Sequence, residues 1–428
     1  MIQRRIILTT FGSLGDLFPF LALAMALKAR GHETVLITNC FHRERVESSG
    51  IAFFPLRPDL DLDDGPLVRQ ILNPAKGLEF LVRRILMPAI RESYEDLFSV
   101  VNSTDLLVTH PLTFAGPILA RKMDLPWASV VLSPLSFLSS QDPVVTSGAP
   151  FFQLVRNFGV GANRILVRLL KGATEHWTLP LRELERDLGL APRRHPMFEG
   201  QHSPELVLAL FSSLFASPRE DWPRQTVTTG FVFREDHSVM DSGLEAFLRD
   251  GSPPVVFTLG SSLVKDPGRF YEESFKAATD LGYRAVLVGE SSGSGTGSRQ
   301  RSPSVLSVPY APHRSLFSGS SLIVHQGGIG TLAQAMRSGK PMIVVPHSYD
   351  QSDNAYRAVR MGVARSIPVR RYRAPEIARL LREVMKDDRL MGDARKLGEK
   401  IGLENGIESA CDALESLMQQ RQINFSGV

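Results

Sequence analysis

Leu322-Ile323-Val324-His325-Gln326-Gly327-Gly328-Ile329-Gly330-Thr331-Leu332-Ala333-Gln334-Ala335 is the stretch that decides the fold of this chain. Leu322-Ile323-Val324 predicts a buried strand. Gly327 to Gly330 predict a tight turn, and Thr331 to Arg337 a helix closed by Ser338-Gly339 and Pro341. A strand, a glycine turn and a helix N-terminus make an anion site. The glycines let the backbone approach a diphosphate, and unpaired N–H groups with the helix dipole supply positive charge without a lysine. His325, ending the strand, is placed to donate to a phosphate oxygen. Fixed donors of this kind also stabilise a nucleoside diphosphate as it departs and gains charge.

A second reading competes at this point. Gly328-x-Gly330-x-x-Ala333 also fits the short dinucleotide fingerprint, and Asp350 follows at about the distance of its ribose-binding acid. That acid belongs at the tip of the next strand, whereas Asp350 follows Pro346-His347-Ser348-Tyr349 inside a loop. The context disfavours hydride transfer.

With 428 residues, 43% of them hydrophobic and 22% charged, the chain has material for two cores rather than one. The 49 basic and 45 acidic residues leave a net charge of +4 without a lysine-rich run, so a nucleic-acid partner is not expected. Cys40 and Cys411 are too few and too distant for a disulfide scaffold or zinc site, and a reducing cytosol is the simplest location. The apolar run from Ile6 is broken at Gly12, too soon for a signal-peptide core. No window approaches the ~20 apolar residues of a spanning helix.

Outward from the opening stretch, the chain alternates strands and helices, which implies an α/β fold with parallel sheets. In the first half the pattern is Ile6 to Phe11, Leu17 to Ala29, Thr34 to Thr38, a helix from His42, Ile51 to Pro55, Leu106 to Thr109, Ala115 to Met123 and Ala128 to Leu132. It resumes with Val255 to Leu259, Ala285 to Val288, Val305 to Val308, Leu322 to Val324 and Met342 to Val345. The expected division is a first domain over 1–215, a linker over 216–241, a second domain over 242–405 and a C-terminal helix and tail over 406–428 that packs back on the first domain. Apolar residues at helical spacing near 78–101 and 151–188, among them Phe80, Ile85, Phe151, Phe158 and Ile165, serve either to bury inserted helices or to line an apolar acceptor cleft. Ser291 to Ser304, rich in serine and glycine, predicts a loop. Two Rossmann-like domains of this sort bind ligands at the carboxyl ends of their strands.

His325-Gln-Gly-Gly-Ile-Gly-Thr-Leu-Ala-Gln-Ala335, followed by Asp350-Gln351-x-Asp353-Asn354-Ala355, resembles the inverting glycosyltransferases of the GT-B fold. That group includes sterol glucosyltransferases, antibiotic glycosyltransferases and bacterial rhamnosyltransferase-like proteins, and the likeness covers nearly the whole chain. The resemblance implies two facing Rossmann-like domains, the first binding the acceptor and the second the nucleotide-sugar donor. Tyr310-Ala311-Pro312-His313 matches the family's Trp-x-Pro-Gln element, so Tyr310 would stack a pyrimidine base at ~1–3 kcal/mol. His313 stands where the family has glutamine. His325 and the segment Gly328, Ile329, Gly330 and Thr331 would hold the diphosphate, joined by Ser261 and Ser262 in the turn after the strand at Val255. Asp350 and Gln351 match the pair that binds sugar hydroxyls, although an aspartate before the helix from Ser352 also suits an N-cap.

Asp16, in Phe11-Gly12-Ser13-Leu14-Gly15-Asp16, follows the first strand in a glycine-rich turn, where a carboxylate can take the proton of an attacking hydroxyl. Many members of the resembling family have histidine there; the sterol and antibiotic enzymes have aspartate. His110, ending the strand Leu106 to Thr109, falls close to the aspartate that partners the histidine of plant members. Two assignments stay open: Asp16 is the base and His110 tunes it, or His110 takes the proton and Asp16 orients the ring. An imidazole's ordinary pKa near ~6.5 suits neutral pH better than a carboxylate's near ~3.9, while the resemblance points to Asp16. Asp16 as a simple helix cap and His110 as a structural histidine are the bland alternatives.

The expected activity is transfer, with inversion, of a hexose or deoxyhexose from a UDP- or dTDP-sugar to a hydroxyl of an apolar small molecule or lipid. No cofactor and no metal are expected, the nucleotide sugar being a co-substrate. A nucleotide-sugar epimerase of the same architecture, or an inactive nucleotide-sugar-binding protein, are the alternatives. Arg83-Arg84 and Arg168 to Lys171 permit loose contact with a membrane.

Overall fold

Short runs of Val, Ile and Leu, each stopped by glycine or a polar residue, form fully buried strands, as parallel sheets covered on both faces require. A computed structural model describes residues 3–426 apart from 62–63, 147–157, 193, 235–237, 261–262, 265 and 291–296. The chain forms two compact units. The first comprises Met1–Val144, Gly148–Arg234 and Asn405–Val428, and the second Val145–Ser147 and Glu235–Glu404.

The first unit contains β1 (Arg5–Thr9), β2 (Glu33–Thr38), β3 (Ala52–Pro55), β4 (Leu106–Thr109), β5 (Trp127–Val131), β6 (Leu206–Ala209) and β7 (Thr226–Thr228). All pair in parallel, in the order β3-β2-β1-β4-β5-β6-β7. The chain moves outward from β1 through β2 to β3, then crosses back to β4 on the other side of β1. Neighbouring strands β1 and β4 therefore lead away in opposite directions at their carboxyl ends, and a crevice opens between the loops that follow them. Gly12 shapes the loop after β1. Its φ is 132°, and a Cβ there would sit 2.3 Å from Asp16 Oδ2, so only glycine lets the carboxylate fold back over the turn.

The second unit repeats the scheme with β8 (Val255–Thr258), β9 (Ala285–Val288), β10 (Arg299–Ser302), β11 (Val305–Val308), β12 (Leu322–His325), β13 (Met342–Val344) and β14 (Ala364–Ser366). Their order is β10-β11-β9-β8-β12-β13-β14, with only β10 antiparallel. Here the crossing point lies between β8 and β12.

Three expectations are corrected. Arg299–Ser302, read as loop, pairs with β11 as an edge strand of polar residues, which carry no apolar signal because one face meets water. Residues 216–234 belong to the first unit rather than to a linker, and Thr226–Thr228 adds its last strand. The first helix begins at Leu14, three residues before Leu17, because Ser13 caps it. Phe151 lies outside the described residues. Leu81 and Leu86 are buried in the first core, while Phe158 and Ile165 are exposed.

The Gly406–Ser426 helix lies on the Leu14–Ala29 helix of the first unit. Arg30 meets Glu408, Asp412 and Glu415, the last at 2.9 Å, and Arg421 meets Glu205 at 2.7 Å.

Candidate active site

In the first unit the crossing point brings Asp16 and His110 together. Asp16 stands in the first turn of the Leu14–Ala29 helix, as the third residue after the Ser13 cap. Its Oδ2 accepts the Ser13 N–H at 2.8 Å and the Ser13 hydroxyl at 3.1 Å, closing a capping box. The other oxygen, Oδ1, lies 3.4 Å from His110 Nε2, with the carboxylate side chain 31% exposed and the imidazole 5% exposed. Asp16 thus caps its helix with one oxygen and presents the other to His110. Thr10 Oγ1 donates to the Asp16 carbonyl at 3.1 Å, and His42 Nε2 meets the Gly12 carbonyl at 2.9 Å, so the turn is held from two sides. Burial lowers the His42 pKa, which keeps its ring a neutral donor to that carbonyl.

The tautomer of His110 follows from its neighbours. Leu112 N–H donates to Nδ1 at 3.2 Å, so that nitrogen is an acceptor and the neutral ring carries its proton on Nε2, facing Asp16. The edge of Phe20 packs on the ring, with centroids 5.7 Å apart, and Thr113 ties down the backbone of His110 in both directions. Phe11, Leu112 and Phe114, which follow the same two strand ends, line a narrow crevice together with Arg57, Ser93 and Thr113.

In the second unit the glycine turn after β12 opens the Ile329–Arg337 helix, with Gly328 as its cap. Leu332 N–H is the first to find a helical carbonyl, Gly328 O at 2.9 Å. The N–H groups of Ile329, Gly330 and Thr331 precede it, and no side chain caps them. His325 Nδ1 accepts the Gly327 N–H at 3.1 Å, which puts its proton on Nε2. That atom is buried without a hydrogen-bond partner, an orphan donor at the last residue of the strand that leads into the glycine turn. Burial, aided by nearby His313, pushes the His325 pKa down to about 3, so the ring offers a neutral N–H. His313 begins the His313–Ser318 helix and stacks on Phe317 at 4.6 Å, while Tyr310 before it is exposed, as a platform for a flat ring needs to be.

Asp350 and Gln351 start the Gln351–Arg360 helix, yet the Asp350 side chain makes no cap bond. Its Oδ2 accepts from Asn354 Nδ2 at 2.7 Å, and the same nitrogen reaches the Gly327 carbonyl at 3.0 Å. Gln351 Oε1 accepts the N–H groups of His347 and Ser348 at 2.9 and 3.2 Å. Its carbonyl therefore braces the loop, and only the amide nitrogen remains to donate outward. The loop includes Tyr349 at φ 50°, a left-handed conformation uncommon for a non-glycine residue. Gly327, at φ 91°, would carry a Cβ 2.7 Å from Val344 Cγ1 and 3.2 Å from Gln351 O. Its lack of a side chain lets the glycine turn pack against the loop that leads to Asp350 and Gln351.

Ser261 and Ser262 lie outside the described residues. Two residues went unread in the sequence. Gln326 is buried, and its amide fills the space between the turns after β8 and β12, 2.2 Å from where a Gly260 Cβ would stand and 3.0 Å from a Gly328 Cβ. Asn354 links Asp350 to the glycine turn. The only sequence signal for either was a polar residue at a position that the strand or helix pattern buries. Among the described residues, no group of three or more His, Cys, Asp or Glu stands together to hold a metal ion. No helix among them is long and apolar enough to cross a membrane.

Residues 6–102 match the glycosyltransferase family 28 N-terminal domain, and residues 284–404 the erythromycin biosynthesis protein CIII-like C-terminal domain. O-mycaminosyltylonolide 6-deoxyallosyltransferase of Streptomyces fradiae is 31% identical, over 97% of this chain and 98% of its own length. A sterol 3-beta-glucosyltransferase of Leptosphaeria maculans is 26% identical over 96% of this chain, which spans 28% of that longer protein. Among solved structures, a calicheamicin glycosyltransferase superposes with a TM-score of 0.69 at 18% identity, covering 98% of this chain and 99% of its own. Spinosyn rhamnosyltransferase SpnG complexed with thymidine diphosphate gives 0.67 at 17% identity, covering 96% and 100%. Two doubly wound sheets, a glycine-entered helix without a side-chain cap and a 31% identical relative matched end to end agree with one another: the chain belongs to the GT-B glycosyltransferases, in the group that contains antibiotic and sterol glycosyltransferases.

Proposed function

We propose that the protein moves a hexose or deoxyhexose, with inversion, from a dTDP- or UDP-sugar to a hydroxyl of an apolar small molecule or lipid, and that Asp16 is the base. The acceptor oxygen gives its proton to Asp16 as it bonds to the anomeric carbon. The nucleoside diphosphate leaves with the electron pair of the broken bond, and its new charge is taken by the N–H groups of Ile329, Gly330 and Thr331 and by His325 Nε2. Direct displacement with one base and one leaving-group site needs no covalent nucleophile.

The observation that carries the base assignment is the Leu112 N–H to His110 Nδ1 bond. With Nδ1 engaged and Nε2 protonated, the neutral imidazole has no lone pair to offer an incoming hydroxyl. Asp16 is the more exposed of the two and keeps oxygen lone pairs open. His110 is then a positioning residue whose Nε2 edge, 3.4 Å from Oδ1, stabilises the carboxylate's charge electrostatically. The thymidine diphosphate bound in a structural neighbour supports a dTDP-sugar, and the sterol acceptor in a relative's name supports an apolar acceptor.

The test is to offer dTDP- and UDP-sugars with a panel of apolar hydroxylated acceptors and to read the anomeric configuration of the product by NMR. Acceptor-dependent release of nucleoside diphosphate with an inverted linkage is expected. A retained configuration, or sugar isomerisation without acceptor, would overturn the proposal.

A further inference from the structure

The Val160–Thr174 helix presents the wrong face to water. It buries Asn163, 4% exposed, while Ile165 and Leu169 are 59% and 65% exposed, and Phe158 just before it is 76% exposed. Ile165 and Leu169 are four residues apart and so lie on one side of the helix. Arg164 and Arg168 alternate with them, both exposed and without a carboxylate partner among the described residues. From Phe158 to Thr174 the sequence has Arg164, Arg168 and Lys171 and no acid; Lys171 pairs with Glu199 at 3.0 Å, which leaves the two arginines as the free cations of this face among the described residues. The neighbouring Leu81–Leu86 helix packs against the Glu175–Thr178 turn and adds exposed Arg84. An aliphatic stripe edged by unpaired arginines is the pattern of a helix lying in a membrane interface, with its apolar side chains below the headgroups and its cations among lipid phosphates.

We propose that this face docks on the surface of an anionic lipid bilayer, with Phe158, Ile165 and Leu169 entering the boundary between headgroups and acyl chains. Charge selects this occupant over a second copy of the chain. Across a two-fold contact the same patch would meet itself and set arginine against arginine with no carboxylate between them. On the bilayer each arginine finds a phosphate. The inference is independent of which sugar or acceptor the enzyme takes.

The test is co-sedimentation of the full chain with vesicles of equal parts phosphatidylcholine and phosphatidylglycerol, beside vesicles of phosphatidylcholine alone. Binding to the anionic vesicles is expected, weakening as salt shortens the screening length from about 10 Å at 0.1 M to about 3 Å at 1 M. Replacing both arginines, R164Q with R168Q, should lower the partition coefficient about 30-fold, at roughly fivefold per cation. I165S with L169S should lower it more than about tenfold through lost apolar insertion. Circular dichroism confirms that both pairs fold; the substituted side chains are on the surface. A wild-type chain that stays in the supernatant with anionic vesicles at low salt overturns the proposal. So does equal binding to both vesicle types, or self-association that I165S with L169S abolishes in the absence of lipid.

Discussion

Exchanging the members of the Asp16–His110 pair one atom at a time distinguishes the base from its support. Asp16→Asn keeps the side-chain shape, and its remaining oxygen still accepts from Ser13, whose N–H and hydroxyl meet Oδ2 at 2.8 and 3.1 Å. The new amide nitrogen then faces His110 Nε2–H, donor against donor, and no general base remains. Loss of such a base costs roughly 10²–10⁴ in kcat, or about 3–5 kcal/mol. His110→Asn keeps an acceptor near the Nδ1 position for Leu112 N–H but removes the donor to Asp16. His110 Nε2 stands 3.4 Å from Oδ1 without the geometry of a hydrogen bond, so what is lost is a weak electrostatic contact, roughly 1 kcal/mol or about fivefold in kcat. His110→Gln does the reverse: it retains a donor toward Asp16 and strands the Leu112 N–H, giving near-normal turnover with about 1–3 kcal/mol less stability. Initial rates of acceptor-dependent nucleoside diphosphate release at saturating donor, with urea midpoints for each variant, read both quantities. Should Asp16→Asn retain turnover within tenfold of wild type, or His110→Asn lose as much as Asp16→Asn, the base is His110 and the reasoning from its tautomer fails.

Buried His325 and His202, with pKa values pushed down to about 3 and about 4, make the fold acid-sensitive. Both are uncharged when folded and ordinary when unfolded, so below pH ~6.5 the unfolded chain binds protons that the folded one refuses. Their contribution is complete above that pH and declines as pH falls toward the folded values, by roughly 2 kcal/mol per histidine at about pH 5. Equal urea midpoints at about pH 7 and pH 5 would contradict this. Gly327→Ala forces a Cβ to within 2.7 Å of Val344 Cγ1 at a positive φ and should remove about 2–4 kcal/mol, seen as a thermal midpoint lower by roughly 5–12 °C. An unchanged midpoint would show that the turn relaxes freely. Turnover is expected to survive dialysis against a chelator, because in the proposed reaction helix-end N–H groups and His325 take the leaving group's charge; activity lost there and restored by Mg²⁺ alone would refute that.

The sequence made the site legible wherever a glycine turn follows an apolar strand. Asp16 follows β1 through such a turn and His110 directly follows β4, and with β1 and β4 neighbours the two come together. The run from His325 to Thr331 was likewise readable, because the strand, the turn and the helix are each coded locally. Which atom does what was not. The roles of Gln351 Oε1, Asn354 Nδ2 and the Gln326 amide depend on partners contributed by other loops. Periodicity along their own segment does not report those partners. The polar edge strand Arg299–Ser302 was hidden for a related reason, since a strand with one face in water and little apolar content resembles a loop. The Val160–Thr174 helix was legible as a helix, but an apolar stripe reads the same whether it faces a core, a ligand or a solvent-exposed surface.

The central claim is that the uncapped start of the Ile329–Arg337 helix binds the diphosphate through backbone N–H groups, and Ile329→Pro tests it at a single atom. Proline is accepted at the first helical position, and Gly328 before it, at φ −59° and ψ 140°, already has the conformation that proline requires of its predecessor. The substitution therefore deletes one of the donors assigned to the diphosphate and spares the helix, with Ile329→Val as control for the side chain. Calorimetric titration with thymidine diphosphate should give a Kd about 10- to 150-fold weaker in Ile329→Pro than in Ile329→Val, the loss of one bond to a charged acceptor. Equal affinities in the two variants would contradict the account and place the diphosphate elsewhere.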